Sequence, residues 1–196
     1  MEVTVSNVLQ FKIELLDVDP PIWRRIQVPS DYSFWDLHVA IQDSMGWKDS
    51  HLHAFQVPGP LGNQMEIGLP DPYGEMDVIP GWERKLGTFF KSPGDKLDYE
   101  YDFGDSWCHS VLLEEVTLKS PGASYPSCTA GQGQCPPEDC GGPPGFEMFL
   151  EAVADPTHES HAELLAWCGG EFDPLGFTPE SVVFDDPQKR LKSLNE

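Results

Sequence analysis

From residue 8 onward the chain alternates: Leu9, Phe11, Ile13 and Leu15 fall on one side of an extended segment and Gln10, Lys12 and Glu14 on the other, the period-two signature of a half-buried strand. Asp17-Val18-Asp19-Pro20-Pro21 interrupts the pattern and the β-branched run Ile22 to Val28 returns, which predicts a hairpin. Phe34, Leu37, His38, Ile41 and Met45 then recur at helical spacing, with Ser30 or Ser33 to cap the helix and Gly46 to stop it. Leu52 to Val57 reads as a third strand. The Pro/Gly-rich stretch 58–81 reads as a long excursion with at most one short strand, near Met65-Glu66-Ile67, and Lys85 to Phe90 as a short helical turn.

The clearest pair of strands is Lys96 to Asp102 and Trp107 to Leu118, joined by a turn at Phe103-Gly104-Asp105-Ser106. After Leu118 the texture changes to a cysteine-rich loop over 128–142. A helix follows over 145–154, with Pro143 and Pro144 at its entrance and Phe146, Phe149, Leu150 and Val153 on one face. A second helix is predicted from about Thr157 through Trp167, ending at Gly169-Gly170. Residues 172–184 form a loop over the core and 188–196 a polar, frayed tail. A hairpin packed on a helix and joined by further strands predicts an α+β fold: a β-grasp-like mixed sheet with one packed helix, then the Cys-rich loop and two helices. One domain spans 1–196, with its core at 8–118, the loop and helical part at 121–184 and the tail at 185–196.

Composition constrains this picture. Six Trp, eleven Phe and five Tyr supply the apolar bulk that disordered chains lack, despite a formal charge of −21 from 33 acidic and 12 basic residues. That charge disfavours direct contact with a nucleic-acid backbone. The N-terminus shows no basic segment followed by an apolar run, and no stretch approaches the roughly 18 apolar residues of a membrane span, so a cytoplasmic location is expected. In a reducing compartment five cysteines, an odd number, favour metal binding or free thiols over a disulfide framework.

Three of those thiols, Cys128, Cys135 and Cys140, lie within 13 residues on a Gly/Pro framework. Soft donors on a loop that turns tightly suit zinc. The best fourth ligand is His109, on the strand that leads into the loop, with Cys108 second, since neighbouring strand residues face opposite ways. Reduced thiols without metal, or a Cys135–Cys140 disulfide, stay open as readings. His51 and His53, in a His-x-His pattern with His38 on the preceding helix, could hold a metal or supply a general base. The alternation of His53 with Phe55 and Val57 instead points to a packed inner position. Asp102 and Asp105 flank Gly104 as either a carboxylate pair or a turn. His158 and His161, beside Glu159 and Glu163, read as a solvated face, and Trp23, Phe34, Trp35, Trp47 and Phe55 as core.

Four segments carry a resemblance: Pro20 to Arg25; Ile41 to Trp47 with His51-Leu52-His53-Ala54-Phe55; Tyr101 to Trp107 with His109; and Cys135-Pro136-Pro137-Glu138-Asp139-Cys140-Gly141-Gly142. Asp155-Pro156 with His158, and Phe172-Asp173-Pro174 with Phe177, extend it over about residues 8–184. Together they resemble the plasmid pRiA open-reading-frame-three-like family. The resemblance implies an α+β fold found in bacteria and archaea, in proteins labelled uncharacterised or resolvase-like, and carries no established catalytic residues to transfer. It strengthens the reading of three Cys and one His as a metal site, and implies that Cys108 and Cys168 are passengers. A charge of −21 and the lack of a helix-turn-helix pattern sit poorly with the resolvase label. The function expected from the sequence is a non-enzymatic binding or adaptor module with a structural zinc and a protein partner. The alternatives are a metal-dependent hydrolase using His51, His53, Asp102 or Asp105, or an accessory protein of a plasmid or mobile-element system.

Overall fold

The computed structural model describes residues 7–60, 62–70 and 77–193. The expected hairpin forms from β1 (Asn7–Leu15) and β2 (Ile22–Pro29), antiparallel with Leu15 opposite Ile22. The alternation is realised in packing: Phe11, Ile13, Ile22 and Ile26 are fully buried, and their removal from water is worth about 1.5–3 kcal/mol each. Helix α1 (Phe34–Met45) begins where the sequence offers Ser33, whose side chain accepts from the Asp36 amide while the Asp36 carboxylate accepts from Ser33 N. Such a reciprocal cap contributes about 1 kcal/mol. Gly46, at φ 85°, ends the helix in the left-handed region.

Six further strands complete the sheet: β3 (His53–Pro58), β4 (Gln64–Gly68), β5 (Val78–Pro80), β6 (Lys96–Tyr101), β7 (Trp107–Leu118) and β8 (Ser127–Gln132). Their order is β5-β4-β3-β6-β7-β1-β2-β8. All pairings are antiparallel except β4 with β5. The α+β class is as expected, but the sheet is wider than a hairpin packed on one helix, and its mixed character is confined to an edge pair. The excursion after β3 holds two described strands instead of one, and the start of the cysteine-rich loop is itself an edge strand. Residues 61 and 71–76 of that excursion lie outside the described residues.

Helix α2 (Gly142–Ala154) starts three residues before the expected 145, taking Pro143 and Pro144 into its first turn, with Gly141 and Gly142 both at positive φ. Helix α3 (His161–Trp167) starts later than predicted because the Asp155 carboxylate accepts from Thr157 N and Oγ1 at 2.8 and 2.7 Å, closing a turn instead. A single turn of 3₁₀ helix at Leu86–Thr88 fits the short helical turn expected there, and others occur at Gly81–Glu83 and Pro179–Ser181. The expected frayed tail is a correction: α4 (Pro187–Ser193) is helical and docked on α1. Trp35 Nε1 donates to the Pro187 carbonyl at 2.8 Å, and Arg190 Nη2 lies 2.6 Å from both Asp43 Oδ1 and Asp185 Oδ2. Residues 194–196 lie outside the described residues. Four of the five aromatics read as core are buried, whereas Trp23 lies half-exposed on the outer face under Arg25. Among the described residues no helix is long and apolar enough to cross a membrane.

Candidate functional site

The structure does not bring Cys128, Cys135, Cys140 and His109 together. His109 lies on β7 opposite Tyr99, and Cys128 on β8 opposite Ile26. Strands β1 and β2 stand between, so three interstrand steps, about 14 Å, separate the positions, against ligand bonds of about 2.0–2.3 Å in a zinc tetrahedron. Cys135 is buried under Arg24, whose Nη2 is 3.1 Å from its Sγ, and packs on Met45 Sδ at 3.2 Å. Burial pushes its thiol up to about 11, with Arg24 opposing. Cys140 is pushed up to about 12, first by burial and then by Asp105, and all five cysteines are free. Cys108 and Cys168 are half-buried, Cys168 turning its Sγ onto the Leu165 carbonyl at 3.3 Å. His109 is fully buried, edge-on to Trp47. Burial pulls its imidazole down to about 4 against a smaller opposing effect of the Tyr99 and Trp107 backbone, and neither ring nitrogen makes a well-aligned hydrogen bond.

A different constellation does assemble, from three loops. The connection after α1 carries His51, the turn between β6 and β7 starts at Asp102, and the segment between β8 and α2 carries Glu138 and Asp139. His51 Nε2 is 3.1 Å from Asp139 Oδ1, 3.6 Å from Asp102 Oδ2 and 3.8 Å from Glu138 Oε2. One donor atom each from His51, Asp102 and Asp139 lie within 4.8 Å of one another. Asp102 accepts from Gly104 N through Oδ1 at 2.9 Å, which leaves Oδ2 for His51. Asp105 acts differently: its Oδ2 accepts from Gly141 N at 3.0 Å and so ties the turn to the loop that carries Asp139. A Cβ on Gly142 would collide with the Asp105 carbonyl, so only glycine permits this approach. Asp102 and Asp139 themselves sit in the left-handed region, at φ 56° and 59°, which aspartate tolerates better than most residues.

Tyr101 braces the group from below. Its hydroxyl accepts from Ser50 N at 3.0 Å and donates to Glu138 Oε1 at 3.1 Å. Burial, chiefly, keeps the phenol well above its usual range and hence protonated. The side chains of Asp102 and Glu138 are 12% and 14% exposed and that of Asp139 70%, so the group is walled below and open on the Asp139 side. Glu138 and Asp139 also form part of the rim of a cavity of about 610 Å³ that Trp47, Lys48, Cys135 and Phe177 help to line, a size that suits a small molecule.

His53 lies elsewhere, at the inner position its alternation predicted. It is fully buried and stacked on His38, ring centroids 3.4 Å apart and planes 6° from parallel. His38 Nε2 is 2.7 Å from Asp49 Oδ1 and its Nδ1 2.8 Å from Tyr99 Oη, whereas neither nitrogen of His53 has a hydrogen-bond partner among the described residues. Burial, then the neighbouring His38, drives His53 well down, so it is neutral. His158 is exposed in the turn before α3, and His161, the first residue of α3, is half-buried with its Nδ1 3.0 Å from the Ala152 carbonyl of α2. Of the second candidate set, the structure therefore joins His51 to Asp102 and separates His53 and Asp105 from them. Sequence reasoning missed Asp49, Glu138 and Asp139. Glu138 and Asp139 stood inside the cysteine motif, where attention fell on the thiols flanking them.

Comparison with known proteins places this geometry in context. The family model described as "Plasmid pRiA4b ORF-3-like protein" matches residues 7–181. An uncharacterized protein, y4hQ, of Sinorhizobium fredii (strain NBRC 101917 / NGR234) is 40% identical over 166 residues, 84% of this chain and 82% of that protein. A crystal structure of a protein of unknown function, MM3350, from Methanosarcina mazei Go1 matches with a TM-score of 0.82 and 39% identity, covering 92% of this chain and 100% of that one.

Proposed function

The chain belongs to the plasmid pRiA4b ORF-3-like protein family, and from the geometry of its loops we propose that it is a metal-dependent hydrolase whose divalent cation is held by His51, Asp102 and Asp139. The observation that carries this reading is the convergence of those three donors within 4.8 Å on the open side of a walled group. One imidazole and two carboxylates form a borderline-to-hard donor set, suited to zinc or manganese and poor for copper(I). Three protein ligands with a solvent-facing side leave coordination positions for water or substrate, the arrangement of catalytic sites. A cation there would polarise a carbonyl or phosphoryl oxygen and acidify a bound water. Glu138, oriented by the Tyr101 hydroxyl and 3.8 Å from His51, is placed to accept the proton that such a water gives up. The adjoining cavity would hold a small ester or phosphoester.

The test is calorimetric titration of metal-free protein with Mn²⁺ or Zn²⁺, together with turnover of chromogenic carboxylic-ester and phosphoester substrates. Metal-dependent turnover is expected in the wild type, and the double variant His51→Ala/Asp139→Asn should lose both the turnover and one equivalent of bound metal. Equal metal binding by wild type and variant, or turnover indifferent to metal, would overturn the proposal. A second arrangement is favoured by the 3.1 Å approach of His51 to Asp139: His51 bonded directly to the carboxylates and holding them together without metal. It predicts no metal uptake at this group.

A further inference from the structure

The pair of buried histidines on the other side of the loop poses a separate chemical question. His53 presents two ring nitrogens to a fully buried environment, and neither has a hydrogen-bond partner among the described residues. Buried polar groups in folded proteins are ordinarily satisfied, and an orphan calls for a specific explanation. Its neighbours are metal-ligating types: one donor atom each from His38, Asp49 and His53 lie within 4.8 Å of one another. Asp49 is held for this position at φ 58°, in the left-handed region. Its Oδ1 faces His38 Nε2 at 2.7 Å while its Oδ2 lies 3.8 Å from Arg190.

We propose that His38, Asp49 and His53 form a second, closed site that takes one divalent transition-metal ion of the zinc or ferrous class. Two imidazoles and one carboxylate select such ions over magnesium or calcium, which prefer oxygen donors throughout. The ion takes the place of the direct His38 Nε2–Asp49 Oδ1 contact, any proton on that contact leaving to bulk water, and gives His53 the partner it lacks. Tyr99, 2.8 Å from His38 Nδ1 and itself bonded by Gln42 Nε2 at 3.1 Å, is the outer partner that orients a ligating imidazole. The second cation nearby, Arg190, has its own carboxylates in Asp43 and Asp185. The rings now lie parallel, 3.4 Å apart, so seating an ion turns one imidazole about its Cβ–Cγ bond and unstacks the pair. Both imidazoles are fully buried and the Asp49 side chain is 7% exposed, so this site loads slowly and is distinct in role from the open group at His51: it fixes the connection between α1 and β3, which carries the open site's histidine.

Cobalt(II) is the probe, because its visible absorption reports ligand number and type. Metal-free full-length protein should take up two equivalents, one fast and one slow. His53→Phe, which keeps an aromatic ring in the stack, should lose the slow equivalent and keep the fast one, and His51→Ala/Asp139→Asn should do the reverse. Loss of the slow equivalent alone supports this site even if the open centre fails. Loss of the fast equivalent alone supports the open centre and removes this one. Should His53→Phe not fold, X-ray absorption on cobalt-loaded His51→Ala/Asp139→Asn decides the matter without touching His53: scattering from two imidazoles supports the proposal. Failure of that variant to take up cobalt, or fewer than two imidazoles around it, overturns the proposal.

Discussion

Arg24 shows how a single side chain can organise a sheet edge. It occupies an inward position on β2, in register with Ile22, Ile26 and Val28, and is 2% exposed. Its guanidinium donates to the carbonyls of Trp23, Ser44, Gln132 and Gly133 at 2.8–2.9 Å and stacks on Phe177 at 3.6 Å. Truncation would strand several buried acceptors at about 1–3 kcal/mol each. Arg24→Ala is therefore expected to lower unfolding stability by about 4 kcal/mol, and Arg24→Lys by about half that because the planar fork is lost, read from urea midpoints. The sequence did signal this residue, since a charge inside an apolar row breaks the alternation. His109 carries a pH dependence. Its ordinary value of 6.5 falls to about 4 in the fold, so between those limits the unfolded chain binds the proton and the folded one does not. Stability is then lost as pH falls from about 6.5 towards 4, by roughly 3 kcal/mol in all, with no contribution above 6.5. Urea midpoints across that range should fall less steeply in His109→Phe than in the wild type. The metal-ligand reading of His109 failed for a physical reason: its adjacency to the cysteine loop in sequence is spanned in space by two intervening strands.

At the level of elements, what the sequence revealed depended on what stabilises each one. Strands that bury one face show it: β1 was legible from its alternation, β2 from its β-branched run, and β6 and β7 as a pair about the turn at 103–106. Strand β8 was not, because Ser127-Cys128-Thr129-Ala130-Gly131-Gln132 has no apolar row; it is a strand through its backbone ladder to the edge of β2. Helix α4 was missed for a similar reason. It meets α1 through polar contacts that include the Arg190–Asp43 pair, the indole bond of Trp35 to Pro187 and the Gln188 Nε2 bond to Asp36 Oδ1, and its sequence has no apolar stripe. Removing residues 187–196 should leave the sheet intact, cost about 1–3 kcal/mol as the partly buried Asp43 loses Arg190, and speed amide exchange in α1. Unchanged exchange in α1 would show that α4 only rests on the surface. The site residues were half legible: His51 and Asp102 stood out by type, whereas Asp49 and Asp139 needed loop conformations at positive φ that no periodicity reveals.

Across the whole molecule a charge of −21 creates a field that concentrates cations and repels polyanions, in keeping with a cation site at an acidic group and against direct contact with nucleic acid. The open group also has a temporal consequence. Its donors come from positions 51, 102 and 139, carried by connections that adjoin β3, β6 and β8, so they meet only when distant parts of the sheet have paired. Contacts of such long sequence separation are expected to form late, because their loop-closure cost is met only once the neighbouring strands have paired. A cation bound there should therefore leave the refolding rate unchanged within about twofold and slow unfolding in proportion to its stabilising effect. Stopped-flow experiments with and without saturating Mn²⁺ would show this as a shift in the unfolding limb alone. In that case the ion is a clasp closed on a finished sheet, and its departure is the event that permits the chain to open.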